Sequence, residues 1–189
     1  YGDGVDFFSF KGSVETLLQE LRITNVKFEA CTDNASYHPG RCACVYAGET
    51  LLGVFGQIHP LVAANYGVDS EIYTAELSFE AMYEMRGGIP VYQPLPKFPA
   101  VTRDIAVVCD EAVTVGALEE SIRRGAKGLL KEVSLFDIYR GPGVADGKKS
   151  VAFNLVLRAD DRSLTGDEAD EDVQSILAAL KADHNAVLR

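Results

Sequence analysis

A proline-rich segment near the middle of the chain restricts what this sequence can fold into. Four of the seven prolines lie between Gly87 and Pro99. Proline fixes φ, lacks a backbone N–H and holds the preceding residue in extended geometry, so the segment predicts an extended, semi-rigid connector. We therefore expect two domains, at residues 1–88 and 97–189, joined by a connector at residues 89–96.

The pattern after the connector predicts alternating strands and helices. The predicted elements are a strand at 103–109, a helix from Thr114 to Gly125, strands at 131–140 and 148–158, a helix opened by a capping box at 165–168, and a strand at 186–188. In the third strand Phe153 and Leu155 alternate with Ala152 and Asn154, which predicts one apolar and one partly polar face. The order βαββαβ is typical of a ferredoxin-like domain, in which both helices cover one face of an antiparallel sheet and the other face is open.

The first half predicts a second α+β domain, with a mainly antiparallel sheet. Its predicted elements are a helix starting near Phe10, a strand at 26–30, a hairpin of strands at 41–47 and 51–58, a short helix opened by His59-Pro60, a strand at 72–77 and a helix at 80–85. These assignments follow from helical and alternating spacing of apolar residues and from the turn residues between them. The fold class predicted for the whole chain is therefore α+β.

The four cysteines indicate a reducing compartment. They are few and scattered in a chain of 189 residues, whereas disulfide frameworks occur in small, cysteine-dense domains. Cys42 and Cys44 should share a strand face, and a metal site there would need two more ligands, for which only His38 and His59 are near. Strand cysteines are more often small core hydrophobes, so we predict no metal site, and the role of these two thiols stays open.

The sequence contains no signal for a membrane span or a secretory leader. Its apolar stretches are far shorter than the roughly 20 residues that a span needs, and no basic run precedes an apolar one at the start. We therefore expect a soluble cytoplasmic protein with no membrane partner. The chain begins at Tyr1 without an initiator methionine, and we expect it to be a fragment of a longer protein.

The net charge of −10 at first argues against a nucleic-acid partner, because phosphate neutralisation supplies most non-specific affinity. The charges are unevenly distributed, however. Residues 1–96 contain five Lys/Arg and twelve Asp/Glu, whereas residues 97–189 contain thirteen and sixteen. The acids of the second half concentrate at 167–172, at the start of a predicted helix, where the helix dipole favours them. The cations of the second half are therefore available in principle to bind RNA.

Short motifs along the chain resemble the β subunit of bacterial phenylalanyl-tRNA synthetase, and they follow that subunit's order. In the first half they are residues 6–12 (DFFSFKG), 38–41 (HPGR) and 53–60 (GVFGQIHP). In the second half they are residues 98–106 (FPAVTRDIA), 135–141 (LFDIYRG), 147–150 (GKKS) and Leu188-Arg189. The second group is the more specific, and together the motifs cover nearly the whole chain.

The resemblance implies a heterotetramer of two α and two β subunits, in which the α subunit carries the class II catalytic site and uses ATP and Mg²⁺. Residues 1–88 would then be the end of a degenerate, non-catalytic class-II-like module, and residues 97–189 the ferredoxin-fold anticodon-binding domain. The glycine run and arginine of the class II ATP-binding strand are missing here. We therefore expect no catalytic residue and no cofactor in this chain, with the tRNA for phenylalanine and the α subunit as partners.

The open face of the second sheet is the predicted RNA-binding surface, because such a face can stack unpaired bases while cations hold the backbone. The residues predicted to contact tRNA are Arg103, Arg140, Lys148, Lys149, Asn154 and Arg158. Structural roles compete with this prediction. Arg103 and Asp104 are as well suited to an internal ion pair, Lys148-Lys149 to a solvated hairpin end, and Tyr139 to packing its ring at the domain edge.

Two other functions are compatible with a ferredoxin-like fold. A small acyl-phosphate hydrolase would need a backbone-amide cradle after the first strand, but Asp110 and Glu111 occupy that position and repel phosphate. No Ser/His/Asp or Cys/His arrangement is evident in the sequence. A regulatory domain that binds a small molecule between paired sheet edges stays open as the second alternative.

Overall fold

The computed structural model describes residues 4–92 and 94–189. The chain divides into two compact units, the first ending at Tyr92 and the second running to Arg189. This division falls inside the predicted proline-rich connector. Residues 1–3 and 93, which the predicted first domain and connector include, lie outside the described residues, and the finer domain limits stay a prediction.

The first unit contains an antiparallel sheet of four strands in the order β1-β2-β3-β4. Its elements are α1 Phe7–Glu20, β1 Val26–Ala30, β2 Tyr37–Ala47, β3 Thr50–Ile58, α2 Pro60–Asn65, β4 Tyr73–Leu77 and α3 Phe79–Met85. Helices α1 and α3 pack on one side of this sheet, around the buried residues Val14, Leu18, Val45, Leu52 and Phe55. Every element predicted for this half is present, and the prediction of a mainly antiparallel α+β unit is confirmed.

The first helix begins earlier than the apolar spacing predicts. It starts at Phe7, three residues before Phe10, because Asp6 is its N-cap. The Asp6 carboxylate accepts a hydrogen bond from the Ser9 N–H at 2.7 Å, and the Ser9 hydroxyl accepts one from the Asp6 N–H at 2.9 Å. This capping box satisfies backbone donors that would otherwise lack a partner in the first turn.

The second unit has the βαββαβ order that the sequence predicts. Its elements are β5 Val101–Asp110, α4 Val115–Gly125, β6 Leu130–Tyr139, β7 Lys148–Leu157, α5 Gly166–His184 and β8 Val187–Leu188. The strands pair antiparallel in the order β6-β7-β5-β8, which is the ferredoxin-like arrangement. The predicted capping box is also present, because the Thr165 side chain accepts from the Glu168 N–H and the Glu168 side chain accepts from the Thr165 N–H.

Both helices of the second unit cover the same face of its sheet. The residues that form the shared core are Ile105, Val107, Val151, Phe153 and Leu155 from the strands and Leu118, Ile122, Ile176 and Leu180 from the helices. The strand residues in this core are all odd-numbered. Side chains alternate along a strand, so the even-numbered residues of β5 and β7 lie on the opposite face, over which neither helix of this unit packs.

None of the helices among residues 4–92 and 94–189 is both long enough and apolar enough to cross a membrane.

Gly125 lets the two helices of the second unit approach each other closely. A Cβ atom at Gly125 would lie 2.8 Å from the Cβ of Ala179 and 3.1 Å from the Cα of Ile176. Helix α4 ends at Gly125, as the sequence predicts, but the next residue, Ala126, is extended with φ −69° and ψ 140°. The glycine is therefore required by close helix packing and not by a left-handed helix cap.

We predict that Gly125→Ala lowers the free energy of unfolding by about 1–3 kcal/mol, because the added methyl group must push α5 away from α4. Gly116→Ala on the same helix is the matched control, since a Cβ there meets nothing within 4 Å. That substitution should leave stability unchanged or raise it by up to about 1 kcal/mol through helix propensity. Urea unfolding of both variants measures the difference, and equal stabilities would contradict the packing role of Gly125.

Candidate nucleic-acid interface

In the second unit, the pairing register of the strands places the side chains of the uncovered sheet face in rows that cross three strands. On β7, Asn154 stands opposite Asp104 of β5 on one side and Ser134 of β6 on the other, and Ala152 stands between Ala106 and Asp137. A further row joins Tyr139, Ser150 and Val108. We call this surface the open face; it consists of Thr102, Asp104, Ala106 and Val108 of β5, Ser134, Asp137 and Tyr139 of β6, and Ser150, Ala152, Asn154 and Val156 of β7.

The floor of the open face is made of small side chains. Ala106 and Ala152 are paired across β5 and β7, and the next row contributes Ser150. Ser150 and Ala152 are only 3% and 8% exposed, although α4 and α5 pack on the other face of the sheet. Larger side chains such as Tyr139 and Asn154 stand around this floor.

Asn154 is the predicted contact residue that lies within the open face. Its amide nitrogen donates a hydrogen bond to Oδ1 of Asp104 at 2.7 Å, which fixes the orientation of both side chains. The pair presents one amide and one carboxylate beside the small-residue floor. Such groups can read the edges of unpaired bases by hydrogen bonding.

Two of the predicted contact residues lie on the helix side of the sheet. Arg103 has the same parity as the core residue Ile105, and its Nε donates to Oδ1 of Asp170 on α5 at 2.8 Å. The internal ion pair that competed with RNA contact therefore exists, with Asp170 as the partner in place of Asp104. Lys149 is 7% exposed, and its ammonium group donates to the carbonyl of Glu111 at 2.9 Å.

Two other predicted contacts are paired with acidic residues at one end of the sheet. Lys148 Nζ lies 2.6 Å from Oδ1 of Asp110. The guanidinium of Arg140 donates three hydrogen bonds to the Glu111 carboxylate, at 2.7, 3.0 and 3.2 Å. These bonds hold the pKa of Glu111 below its ordinary value. Phosphate groups would have to compete with these carboxylates for both cations.

Arg158, the sixth predicted contact, differs from the others because it forms no salt bridge among the described residues. It follows the last residue of β7, and its backbone N–H donates to the Leu129 carbonyl at 2.9 Å. Its Nε atom is buried and has no hydrogen-bond partner in the described part of the chain. An anionic ligand would therefore not have to displace a salt-bridge partner from this guanidinium, although its Nε atom is itself buried.

Arg189 is a second guanidinium without a carboxylate partner among the described residues, and sequence reasoning did not place it in the site. Its backbone N–H donates to the carbonyl of Ala106 at 2.9 Å, and its guanidinium carbon lies 4.9 Å from the centre of the Tyr139 ring. The sequence carries little signal for this placement, because β8 has two residues and no alternation can be recognised in so short a strand.

A serine, an aspartate and a histidine meet between α4 and α5. The Ser121 hydroxyl donates to Oδ2 of Asp183 at 2.7 Å and lies 3.0 Å from Nε2 of His184. In a catalytic triad the carboxylate orients the histidine, whereas here it binds the serine. Ser121 is also only 2% exposed, so this cluster joins the two helices and offers no access to a substrate.

Cys42 and Cys44 lie in the first unit, on the face of its sheet opposite α1. They form a small cluster with Cys31 and Tyr37. Burial first, and then the neighbouring Cys31, raise the pKa of Cys42 to about 12 and that of Cys44 to about 11. The prediction that these cysteines act as small hydrophobes agrees with this environment.

The two histidines near this cluster are oriented by backbone amides. Nδ1 of His38 accepts from the Gly40 N–H at 3.1 Å, and Nδ1 of His59 accepts from the Leu61 N–H at 3.2 Å. A neutral imidazole that accepts at Nδ1 carries its proton on Nε2, which leaves no lone pair for a metal ion. Within residues 4–92 and 94–189, no group of three or more His, Cys, Asp or Glu side chains is arranged to hold a metal.

Comparison with known proteins assigns a family to each unit. Residues 2–79 match the model of the phenylalanyl tRNA synthetase beta chain CLM domain. Residues 96–189 match the model of the ferredoxin-fold anticodon binding domain. The two matches leave residue 1 and residues 80–95 uncovered, and this gap contains most of the proline-rich segment.

Curated relatives agree with the family models. Phenylalanine–tRNA ligase beta subunits from Symbiobacterium thermophilum, Clostridium tetani and Bacillus subtilis are 44%, 37% and 40% identical to this chain, over 177, 189 and 185 residues. The aligned regions cover 94%, 100% and 98% of this chain but 20%, 24% and 23% of the relatives. The chain thus spans about a fifth to a quarter of the length of the curated relatives that it matches.

The thiol environment of the first unit predicts slow alkylation of Cys42 and Cys44. With pKa values of about 12 and about 11, their thiolate fractions at about pH 8 are lower than in an unfolded chain by about 100-fold or more. Iodoacetamide should therefore modify both residues far more slowly in the native chain than in concentrated urea, as measured by mass spectrometry of the peptides. Equal rates in the two states would contradict this environment.

Proposed function

Because this chain belongs to the β-subunit family of phenylalanine–tRNA ligases, we propose that its second unit binds the anticodon region of the tRNA for phenylalanine. We propose that the first unit is a non-catalytic scaffold module that contacts the α subunit. The observation that carries the RNA assignment is the open face, together with two guanidinium groups that form no salt bridge among the described residues: Arg189, and Arg158 just beyond the end of β7.

An open antiparallel face suits single-stranded RNA for a physical reason. Unpaired bases have flat faces that stack on side chains, and their edges accept and donate hydrogen bonds. The Asn154 and Asp104 pair offers polar atoms that can hydrogen-bond the edge of such a base. Anticodon bases are unpaired before decoding, so they are a fitting ligand for this surface.

The charges of this surface support weak binding whose affinity depends little on salt. Asp104 and Asp137 lie on the open face, and Lys148 and Arg140 are already paired at its end. The acidic run 167–172 belongs to α5, on the other side of the sheet. We therefore expect few phosphate contacts from this unit, and a correspondingly shallow dependence of affinity on salt.

We propose that the catalytic residues of the parent ligase lie outside this chain. In this proposal the α subunit binds ATP and Mg²⁺ and carries out the aminoacylation, and two α and two β subunits assemble in the cytoplasm. The described residues of this chain provide no cluster of carboxylates and imidazoles that fits a divalent ion. In this proposal the present chain acts as a structural scaffold and contacts the tRNA.

The two alternative functions make different predictions. An acyl-phosphate hydrolase would need phosphate to bind after β5, but the Asp110 and Glu111 carboxylates stand there and are held by Lys148 and Arg140. A regulatory domain would form a dimer whose melting temperature rises with an amino acid and not with tRNA. The RNA proposal expects the opposite response.

We predict that the 189-residue chain binds the tRNA for phenylalanine weakly, and more tightly than the same tRNA altered at its anticodon. Arg158→Ala should abolish this preference, because it removes a guanidinium that forms no salt bridge among the described residues and whose nearby acid, Asp160, is paired with Lys131. Arg123→Ala is the matched control, since Arg123 lies on α4 and pairs with Glu119. A salt-dependent binding titration of the three chains measures the preference.

The loss of a specific contact of this kind typically corresponds to about 1–3 kcal/mol of discrimination. Equal affinity of the unsubstituted chain for both tRNAs would remove the anticodon assignment. An Arg158→Ala chain that keeps the full preference would remove Arg158 from the interface.

A further inference from the structure

The short strand β8 delivers a guanidinium to the open face. Strand β8 pairs with β5 through Val107 opposite Leu188 and Val108 opposite Val187. The next residue, Arg189, donates its backbone N–H to the Ala106 carbonyl at 2.9 Å. Continuing this register, Arg189 joins the row of Ala106, Ala152 and Asp137, and its side chain stands on the open face.

The Arg189 side chain extends across the small-residue floor towards the far strand of the sheet. Its guanidinium carbon lies 4.9 Å from the centre of the Tyr139 ring on β6, and a Cβ atom built on Gly143 would be 4.0 Å from its Nη2 atom. Strands β8 and β6 are separated by β5 and β7. This span is possible because Ala106 and Ala152 offer no side chain that would block it.

The Tyr139 ring lies against one side of the Arg189 guanidinium, and the rest of Arg189 is exposed. Tyr139 is half-buried, and its hydroxyl donates to the Pro142 carbonyl at 3.3 Å, which anchors the ring. Arg189 itself is exposed. Asp137 ends the same row of residues, yet no salt bridge joins it to Arg189. The guanidinium thus lies over an aromatic ring within cation–π distance and has no carboxylate partner among the described residues.

We infer that Arg189 is an RNA-contacting residue, and that its guanidinium plane stacks an unpaired base on the side that faces away from Tyr139. This inference rests on the proposed function of the open face. Guanidinium planes stack on bases as aromatic rings do. The Tyr139 ring holds the plane in place beforehand, so the stack of ring, guanidinium and base forms with little loss of side-chain freedom.

Two substitutions separate stacking from charge. Arg189→Met removes both the charge and the plane, whereas Arg189→Lys keeps the charge and removes the plane. Both keep the backbone bond to Ala106. Arg123→Met on α4 is the control for loss of one positive charge, and circular dichroism with a melting curve checks that every variant is folded.

Binding of an anticodon stem-loop RNA to the 189-residue chain is titrated at several salt concentrations. Arg189→Met is expected to raise Kd about 10-fold, the size of one lost stacking contact, and to reduce the salt slope by about one. Arg189→Lys is expected to keep the salt slope of the unsubstituted chain but to raise Kd at least about 5-fold. Arg123→Met should change Kd less than about 2-fold.

The outcomes distinguish this inference from the function on which it rests. Wild-type affinity of Arg189→Lys would overturn the stack and leave a simple charge contact, and wild-type affinity of Arg189→Met would overturn any role of Arg189. Either result leaves the anticodon assignment intact, provided that the unsubstituted chain binds the stem-loop with the phenylalanine anticodon more tightly than a stem-loop with an altered anticodon. If the unsubstituted chain binds both stem-loops equally well, the proposed function is wrong. If it binds no RNA, both the proposed function and the inference on Arg189 are wrong.

Discussion

The alternation of large apolar and small or polar residues along β5 and β7 determines the architecture of the second unit. Ile105, Val107, Phe153 and Leu155 are almost fully buried against α4 and α5. A shift of one residue in register would move all of them to the solvent side. Because this one face carries nearly all the apolar area, both helices must pack there, and the other face is left with residues too small or too polar to hold a helix.

The open face therefore follows from the same pattern that builds the core. Its small residues Ala106, Ala152 and Ser150 lie between the core residues in sequence. Because their side chains are small, the Arg189 side chain can extend over them to Tyr139. The cations around them are not equally available. Arg103 and Lys149 serve the fold, Lys148 and Arg140 are held by acids, and only Arg158 and Arg189 remain without a carboxylate partner among the described residues.

The secondary structure could be predicted from the sequence because its signals are local. Capping residues, glycines, prolines and alternation lie within a few positions of the elements that they define, and the βαββαβ order followed from them. The helical spacing of apolar residues predicts a start of α1 near Phe10, three residues late, because the capping box of Asp6 and Ser9 fixes the start independently of that spacing. The partners of the site's cations could not be predicted, since these pairs join distant residues: Arg140 contacts Glu111 across 29 positions, and Arg103 contacts Asp170 across 67.

Alanine methyl NMR tests most directly whether RNA binds the open face. Ala106 and Ala152 lie on the open face, whereas Ala169 is buried between the sheet and α5. Addition of an anticodon stem-loop should shift and broaden the methyl signals of Ala106 and Ala152 and leave that of Ala169 in place. If the signal of Ala169 moves while those of Ala106 and Ala152 stay unchanged, the RNA binds elsewhere on this chain and the account is wrong.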